Sequence, residues 1–304
     1  MADLGVVVMA YGTPATPADV EAYYTHIRRG NAPTPEQLTE LTARYDAIGG
    51  ISPLAQRTEA QRVALQAALD ERTPNRTRVV LGQKHAAPFI EDAIDTLAGD
   101  GIEHVVGLVL APHFSGFSVG EYQRRLAAAA TPHCMRTAGV ESWHLEPSYV
   151  RFLADATLEA LVSLPERTKV LFTAHSLPER VLVDDPYPNQ LRESAAAVAE
   201  AAGLDRWAGW SVAWQSAGRT PEPWRGPDIL DVIRDLAATG AADGVLVCPQ
   251  GFVSDHLEVV YDLDIEAAKV ADEVGLAFAR TRVLNDDRTV LGALADRVLA
   301  VEPT

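Results

Sequence analysis

The strongest constraint on the fold is an internal repeat of apolar strands that end at proline-containing turns. An apolar run at 5–10 leads into YGTP at 11–14, and a second run at 169–173 leads into AHSLP at 174–178. Continuous apolar runs of this length are typical of parallel strands covered on both faces. The chain therefore contains the same strand and turn at the start of each half.

Two amphipathic stretches extend the repeat. PFIEDAIDTL begins at Pro88 and PDILDVIRDL begins at Pro227, and the next strand of each half ends at Pro112 and at Pro249. The separations are 24 residues (112 minus 88) and 22 residues (249 minus 227). Chance similarity between amphipathic units is the alternative explanation. We predict an α/β protein with two related lobes, each a mostly parallel sheet covered by helices on both sides.

The composition favours two closely joined lobes and limits the class of ligand. The 304 residues contain no Pro, Gly or Ser linker, so we assign residues 1–150 to the first lobe and 151–304 to the second. The net charge of -16 argues against nucleic acid and anionic membranes as partners. No apolar run approaches the roughly 20 residues of a membrane span. With only Cys134 and Cys248, we expect a reducing, cytoplasmic environment.

An acidic ladder follows the last strand of the repeat. Glu258, Asp262 and Glu266 have successive i,i+4 spacings and share one face of a predicted helix. The opposite face carries the apolar residues Val260, Leu263, Ala267 and Val270. Like charges at this spacing repel one another. The ladder is therefore either a solvated outer face or a place that attracts cations.

The repeat brings chemically competent residues to one cleft. Ligands of open α/β sheets bind outside the carboxyl ends of the strands, so we expect Tyr11 and His175 to face each other there, with Glu258 beside His175. Imidazole and carboxylate can bind a divalent transition metal, and imidazole can accept protons near neutral pH. A structural role for His175 in its turn is the alternative. For His85, a metal-related and a structural role are both open.

Two other histidines and the basic residues of the first half complete the candidates. We expect His256 to point away from Glu258, because residues two apart on a helix do not share a face. His113 follows a strand end, and its role stays undecided. Arg28 and Arg44 border segments that connect the first turn to the Gly-Gly-Ile-Ser loop, so they could bind ligand carboxylates. No nucleotide-binding glycine motif follows a strand.

Several long motifs occur in order along nearly the whole chain. They are MAYGTP at 9–14, YYTHIRRG at 23–30, RYDAIGGISPL at 44–54, KHAAPFIEDA at 84–93, APHFS at 111–115, AHSLP at 174–178, WQSAGRTP at 214–221 and GFVSDHLE at 251–258. On these motifs the chain resembles the ferrochelatases, and especially the compact, soluble coproporphyrin ferrochelatases of Gram-positive bacteria and actinobacteria. The resemblance implies two Rossmann-like lobes, each a doubly wound parallel sheet, related by a pseudo-twofold repeat. It also implies insertion of Fe(II), as a substrate, into a porphyrin.

The resemblance also implies roles for single residues. His175 and Glu258 would contact the metal, His175 would take the pyrrole protons, and Tyr11 would contact the iron from the opposite face. The residues expected to hold the porphyrin and its carboxylates are Tyr11, Arg28, Arg44, Tyr45, Ser52 and Tyr122. Asp262 and Glu266, with His85, would form an outer relay or a site for a divalent cation.

The expected substrate is coproporphyrin III, with protoporphyrin IX as the alternative. A cobalt or sirohydrochlorin chelatase and a non-catalytic haem carrier are further alternatives. The two cysteines cannot hold the [2Fe–2S] cluster of many actinobacterial relatives, so we expect no iron–sulfur cluster. The membrane-binding lip and dimerising extension of the animal enzymes are not recognisable. We therefore expect a monomer without stable membrane association, and pathway logic suggests transient contact with coprohaem decarboxylase.

Overall fold

The structure is a computed structural model that describes residues 2–204, 209–218 and 220–301, and two four-stranded parallel sheets organise these residues. The first sheet has the order β2-β1-β3-β4, from Leu4–Ala10 (β1), Thr77–Gln83 (β2), His104–Val109 (β3) and Arg136–Val140 (β4). The second has the order β6-β5-β7-β8, from Thr168–His175 (β5), Trp210–Gln215 (β6), Gly244–Cys248 (β7) and Ala277–Arg280 (β8). The matching strand order confirms the predicted two-lobed α/β fold.

Helices cover both sheets. In chain order they are Val20–Ile27 (α1), Pro35–Ala47 (α2), Leu54–Arg72 (α3), Ile90–Gly99 (α4), Val119–Ala130 (α5), Pro147–Leu161 (α6), Tyr187–Ala201 (α7), Ile229–Thr239 (α8), Leu257–Val259 (α9), Ala268–Glu273 (α10) and Arg288–Ala300 (α11). A π-helical segment, Val260–Ala267, joins α9 to α10. None of the helices in the described part of the chain is long and apolar enough to cross a bilayer.

The inner strands of the two sheets are buried on both faces, as their apolar sequences predict. Val6, Val7 and Val8 of β1 and Leu246 of β7 are all 0% exposed. One core cluster contains buried residues of both sheets, so the two lobes share apolar packing. This arrangement fixes the carboxyl ends of β1 and β5 relative to each other.

A continuous helix spans the position at which the two lobes were expected to divide. The expected division between 150 and 151 falls inside α6, which is a continuous helix. The last helix, α11, packs against α3 of the first lobe, and the Arg72 guanidinium makes a two-pronged ion pair with Asp296 at 2.5 and 2.9 Å. The second lobe is therefore held to the first by its own C-terminal helix.

The acidic ladder lies on the helical segment that follows β7. Its π-helical hydrogen bonding, from residue i to i+5, shifts the faces relative to an α-helix. Leu263, Ala267 and Val270 are buried as predicted, but Val259 is buried in place of the half-exposed Val260. Asp262 is only 5% exposed, so this part of the ladder is not a solvated face.

Candidate functional site

The imidazole of His175 lies at the carboxyl end of β5, as its last residue. Its Nδ1 lies 2.5 Å from the carbonyl oxygen of Ser176. A carbonyl can only accept, so Nδ1 carries a proton and Nε2 of the neutral ring keeps its lone pair. Nε2 lies 3.6 Å from Oε1 of Glu258, and Tyr187 donates its hydroxyl proton to the His175 carbonyl at 3.2 Å. The ring is thus fixed with its basic nitrogen toward the carboxylate.

His256 also contacts this carboxylate, which contradicts the expectation that it points away. It is the residue before α9 and has an extended backbone, φ -158° and ψ -178°, so helical spacing does not apply to it. Its Nε2 lies 3.5 Å from Oε2 of Glu258, while Nδ1 donates to the Ser254 carbonyl at 2.9 Å. Glu258 therefore lies between two imidazole rings. The helix N-terminus, which begins at Leu257, is the feature that sequence reasoning misplaced.

Glu258 and His175 stabilise each other's charged forms. Burial disfavours the imidazolium of His175, but the Glu258 carboxylate outweighs this effect and raises the pKa of His175 to about 9. Burial likewise opposes ionisation of Glu258, and the two imidazoles nevertheless hold its pKa well below the usual range. About a third of each side chain, 34% and 33%, remains open to solvent. A proton occupies this pair at neutral pH, and a metal ion that binds there must displace it.

Tyr11 follows β1 and contributes to the same electrostatic environment. Although Tyr11 is 42% exposed, burial of the phenol within the cleft and the Glu258 carboxylate raise its pKa well above 10. Its ring packs on that of His85, with centroids 4.6 Å apart, and Nδ1 of His85 lies 3.0 Å from Nδ1 of His26. Burial, Lys84 and His26 lower the pKa of His85 to about 3. His85 is therefore neutral at physiological pH.

The outer carboxylates are bound by an arginine. Arg44 lies 2.5 Å from Oδ1 of Asp262 and 3.7 Å from Oε2 of Glu266, and Ser216 donates a hydrogen bond to Oδ2 of Asp262. Burial raises the pKa of Asp262 to about 6 against the opposing effect of Arg44. Arg44, expected to hold a ligand carboxylate, thus pairs with the protein's own carboxylates.

The structure does not bring all three proposed outer residues together. His85 contacts Tyr11 and His26, whereas Asp262 and Glu266 contact Arg44. Across residues 2–204, 209–218 and 220–301, no group of three or more His, Cys, Asp or Glu residues is arranged to hold a metal ion. An outer site that contains His85, Asp262 and Glu266 therefore stays a prediction, and the contacts of these residues give no support to a single ligand set.

The remaining residues expected to hold the porphyrin occupy two kinds of environment. Arg28 caps the end of α1 and donates through Nε to the Asn31 carbonyl at 3.2 Å. Tyr45, Ser52 and Tyr122 are buried, at 3%, 6% and 5% exposed. Their hydroxyls can reach a ligand only at the cleft wall, and their role in binding stays a prediction.

His113 belongs to a buried polar network. It is 2% exposed, and its Nε2 lies 2.8 Å from the hydroxyl of Ser194. Burial and the neighbouring His144 lower the pKa of His113 well below 6.5, so its ring is neutral. Ser194 also donates to Oε1 of Gln250 at 2.8 Å. The undecided role of His113 is therefore resolved in favour of packing between α7 and the turn after β7.

Solved structures of other proteins share this two-lobed fold. The sirohydrochlorin chelatase SirB from Bacillus subtilis, solved with Fe3+, superposes with a TM-score of 0.59 over 98% of this chain and 95% of its own, at 11% identity. CbiX, described as the terminal enzyme of sirohaem biosynthesis in denitrifying bacteria, gives a TM-score of 0.55 at 16% identity and covers 98% of both chains. At these identities the likeness concerns the fold alone.

The chain belongs to the ferrochelatase family, whose family model, described as Ferrochelatase, matches residues 3–301. It is 46% identical over 303 residues to the coproporphyrin III ferrochelatase of Bacillus subtilis, covering 97% of both chains. It is 44% identical over 297 residues to the enzyme of the same name from Halalkalibacterium halodurans, covering 96% of this chain and 95% of the relative.

Proposed function

We propose that the protein is a coproporphyrin III ferrochelatase, which inserts Fe(II) into coproporphyrin III and gives coprohaem with release of two protons. Family membership over the whole chain and the names of its full-length relatives support this reaction. The single observation that carries the mechanism is the pair formed by His175 and Glu258 at the carboxyl end of β5. These residues supply one base and one anionic ligand at one point.

His175 and Glu258 divide the chemistry between them. Once the proton held by the pair has left, His175 presents the Nε2 lone pair, which takes a pyrrole proton while the metal replaces hydrogen in the macrocycle. Glu258 stabilises the resulting imidazolium, as the raised pKa of His175 shows. The same carboxylate attracts Fe(II) and replaces part of the water that the ion must lose. His256 holds Glu258 from the other side.

Tyr11 and the basic residues serve the porphyrin. The phenol of Tyr11 stays protonated because its pKa lies well above 10, so it offers a neutral oxygen to the iron on the opposite face. Coproporphyrin III carries four carboxylates, and a protein of net charge -16 repels them. Arg28 offsets this repulsion locally, and Arg44 can do so only if it leaves Asp262. Tyr45, Ser52 and Tyr122 complete the proposed porphyrin contacts.

Further features of the proposal concern the surroundings of the reaction. Asp262 and Glu266 act as an outer relay for protons or bind a divalent cation in exchange for Arg44. The protein works as a cytoplasmic monomer without an iron–sulfur cluster, and it transfers its product through transient contact with coprohaem decarboxylase. Calorimetric titration of the decarboxylase into this protein, with and without coprohaem, tests that contact. Absence of a binding signal in both titrations contradicts it.

An anaerobic assay of Fe(II) insertion tests the proposed function directly. Wild-type protein is expected to convert coproporphyrin III much faster than protoporphyrin IX, and His175→Ala is expected to lose at least about 100-fold in rate, the lower range for loss of a general base. His133→Ala is the control, because His133 is an exposed histidine paired with Asp95 at 2.9 Å. A wild type that binds but does not metallate coproporphyrin III would instead be a porphyrin carrier. Undiminished turnover by His175→Ala would refute the mechanism.

A further inference from the structure

One buried glutamine of the first lobe contacts the second lobe directly behind the metal site. Gln61, on α3, is 0% exposed. Its Nε2 donates to the carbonyl of Val253 at 3.1 Å and to that of Asn285 at 2.8 Å. Its Oε1 accepts from the hydroxyl of Ser254 at 3.0 Å. Both amide protons and the amide oxygen of Gln61 are thus used on the other lobe.

Two of these partners, Val253 and Ser254, lie on the loop that carries His256. Nδ1 of His256 donates to the carbonyl of Ser254, which fixes the ring with Nε2 facing the Glu258 carboxylate, and a protonated Nε2 donates to that carboxylate. A continuous path of contacts therefore runs from Gln61 through Ser254 and His256 to the Glu258 carboxylate. Glu258 in turn contacts His175. The first lobe reaches the metal site through this path without touching the metal itself.

Contacts with other segments hold this loop in its conformation. Residues 252–256 form neither helix nor strand. The Asn285 amide donates to the Val253 carbonyl at 2.8 Å, and Arg280 pairs with Asp255 at 3.2 Å. Asn285 accepts from the Asp255 amide at 3.1 Å and donates to the Asp255 carboxylate at 2.9 Å. Asn285 itself has a left-handed backbone, φ 46°, which surrounding contacts must maintain. Gln61 bonds to both sides of this arrangement, at Val253 and at Asn285.

We infer that Gln61 is a positioning residue for the metal site, acting through Ser254 and His256 to hold Glu258 at its working distance from His175. An amide is suited to this role because it donates twice and accepts at the same point. The geometry of the metal site thereby depends on the contact between the two lobes. Its kinetic consequence rests on the proposed ferrochelatase function, whereas its effect on the His256 ring does not.

Gln61→Met tests the inference, since methionine has a similar volume and no hydrogen-bonding amide. Gln66→Met is the matched control on the same helix. Gln66 donates to the Thr77 carbonyl at 3.2 Å and accepts from the Val79 amide at 2.8 Å, both within the first lobe. Loss of a group that orients a metal ligand typically costs 10–100-fold. We expect Gln61→Met to raise KM for Fe(II) about 10-fold and to leave KM for the porphyrin unchanged, with neither constant altered in Gln66→Met.

Nitrogen-15 NMR of the histidine rings provides a readout that does not require turnover. In the wild type, the Nδ1 proton of His256 is expected to be hydrogen bonded to the Ser254 carbonyl, and in Gln61→Met the Nδ1 signal is expected to shift as this bond loosens. Thermal unfolding checks that the variants are folded. If Gln61→Met does not fold, Ser254→Ala removes one bond of the same path and is expected to shift the ring signals in the same direction.

A double-mutant cycle separates positioning from general loss of stability. If Gln61 acts through His256, the effect of Gln61→Met on KM for Fe(II) disappears in a His256→Ala background. Additive effects, or an unchanged Nδ1 signal of His256 in a folded Gln61→Met protein, would overturn the inference. Failure of the wild type to metallate any porphyrin would instead refute the proposed function, and the NMR measurement would still decide the role of Gln61.

Discussion

Replacing Glu258 with glutamine removes one charge from the centre of the site while keeping the size of the side chain. In the wild type, the carboxylate overcomes burial and raises the pKa of His175 to about 9. Without the carboxylate, only the Ser176 carbonyl and Asp262 oppose burial, so this pKa falls toward 6.5. The expected perturbation is therefore a large fall in the basicity of His175.

The size of the fall follows from the geometry of the pair. A pKa change from about 9 to 6.5 corresponds to roughly 3 kcal/mol of stabilisation of the imidazolium. Solvent reaches about a third of each side chain, 34% and 33%, and screening reduces this to about 2 kcal/mol. We therefore expect a pKa of about 7.5 or lower for His175 in Glu258→Gln.

NMR titration of the His175 ring, with its signal assigned from the spectrum of His175→Ala, measures this change. Glu266→Gln is the control, since its carboxylate lies on the same helical segment but contacts Arg44. A His175 pKa that stays near 9 in Glu258→Gln, or that already lies near 6.5 in the wild type, would refute the electrostatic coupling.

The same substitution has a signed effect on stability. A histidine whose folded pKa is raised stabilises the fold fully below its unfolded pKa, near 6.5, and loses that contribution as the pH rises through about 9. The stability difference between wild type and Glu258→Gln is therefore expected to be largest near pH 6 in urea unfolding and to shrink above pH 9. A difference that grows with pH would contradict this sign.

Two further changes test other contacts of the site. Burial raises the pKa of Asp262 to about 6, so its charged form opposes folding. In urea unfolding, Asp262→Asn should therefore increase the free energy of unfolding by about 2–3 kcal/mol at pH 8 and leave it unchanged below pH 4. A lower free energy of unfolding at pH 8 would show that the partners of Asp262 outweigh its burial. A Cβ on Gly251 would lie 2.5 Å from Cβ of Ala174, the residue before His175. Gly251→Ala should therefore lower the free energy of unfolding by about 1–3 kcal/mol and reduce the rate of Fe(II) insertion. Gly99→Ala, whose Cβ meets nothing within 4 Å, is the control, and equal effects of the two would exclude crowding at Ala174 as the cause.

The fold could be predicted from sequence where the signal was local and repeated. The apolar runs at 5–10 and 169–173 gave β1 and β5 within two residues of their observed ends. The edge strands Arg136–Val140 and Ala277–Arg280 were not predicted. They are short, lie at sheet edges and are mostly half-buried, so they carry no continuous apolar run. The continuity of α6 across the expected lobe boundary was also invisible, because no composition change marks it.

The part of the site that lies directly after the strand ends could be predicted from the sequence. The positions of Tyr11 and His175 after β1 and β5 and the position of Glu258 after β7 followed from the repeat, because parallel strands present their carboxyl ends at one edge. Spacing could not reveal that His256 is extended and contacts Glu258, since that depends on where the helix begins. It also could not show that Arg44 pairs with Asp262, 218 residues away.

The sequence thus determined the two repeated lobes, the buried strands and the chemical types gathered in the cleft, because periodicity and turn residues act locally. Only the tertiary structure decided which atoms contact each other across the lobes. Gln61 illustrates the difference: in the sequence it is one polar residue of a helix, yet packing of α3 on the second lobe makes it the support of the loop before Glu258. Such contacts arise from the closing of the lobes, and no spacing along the chain encodes them.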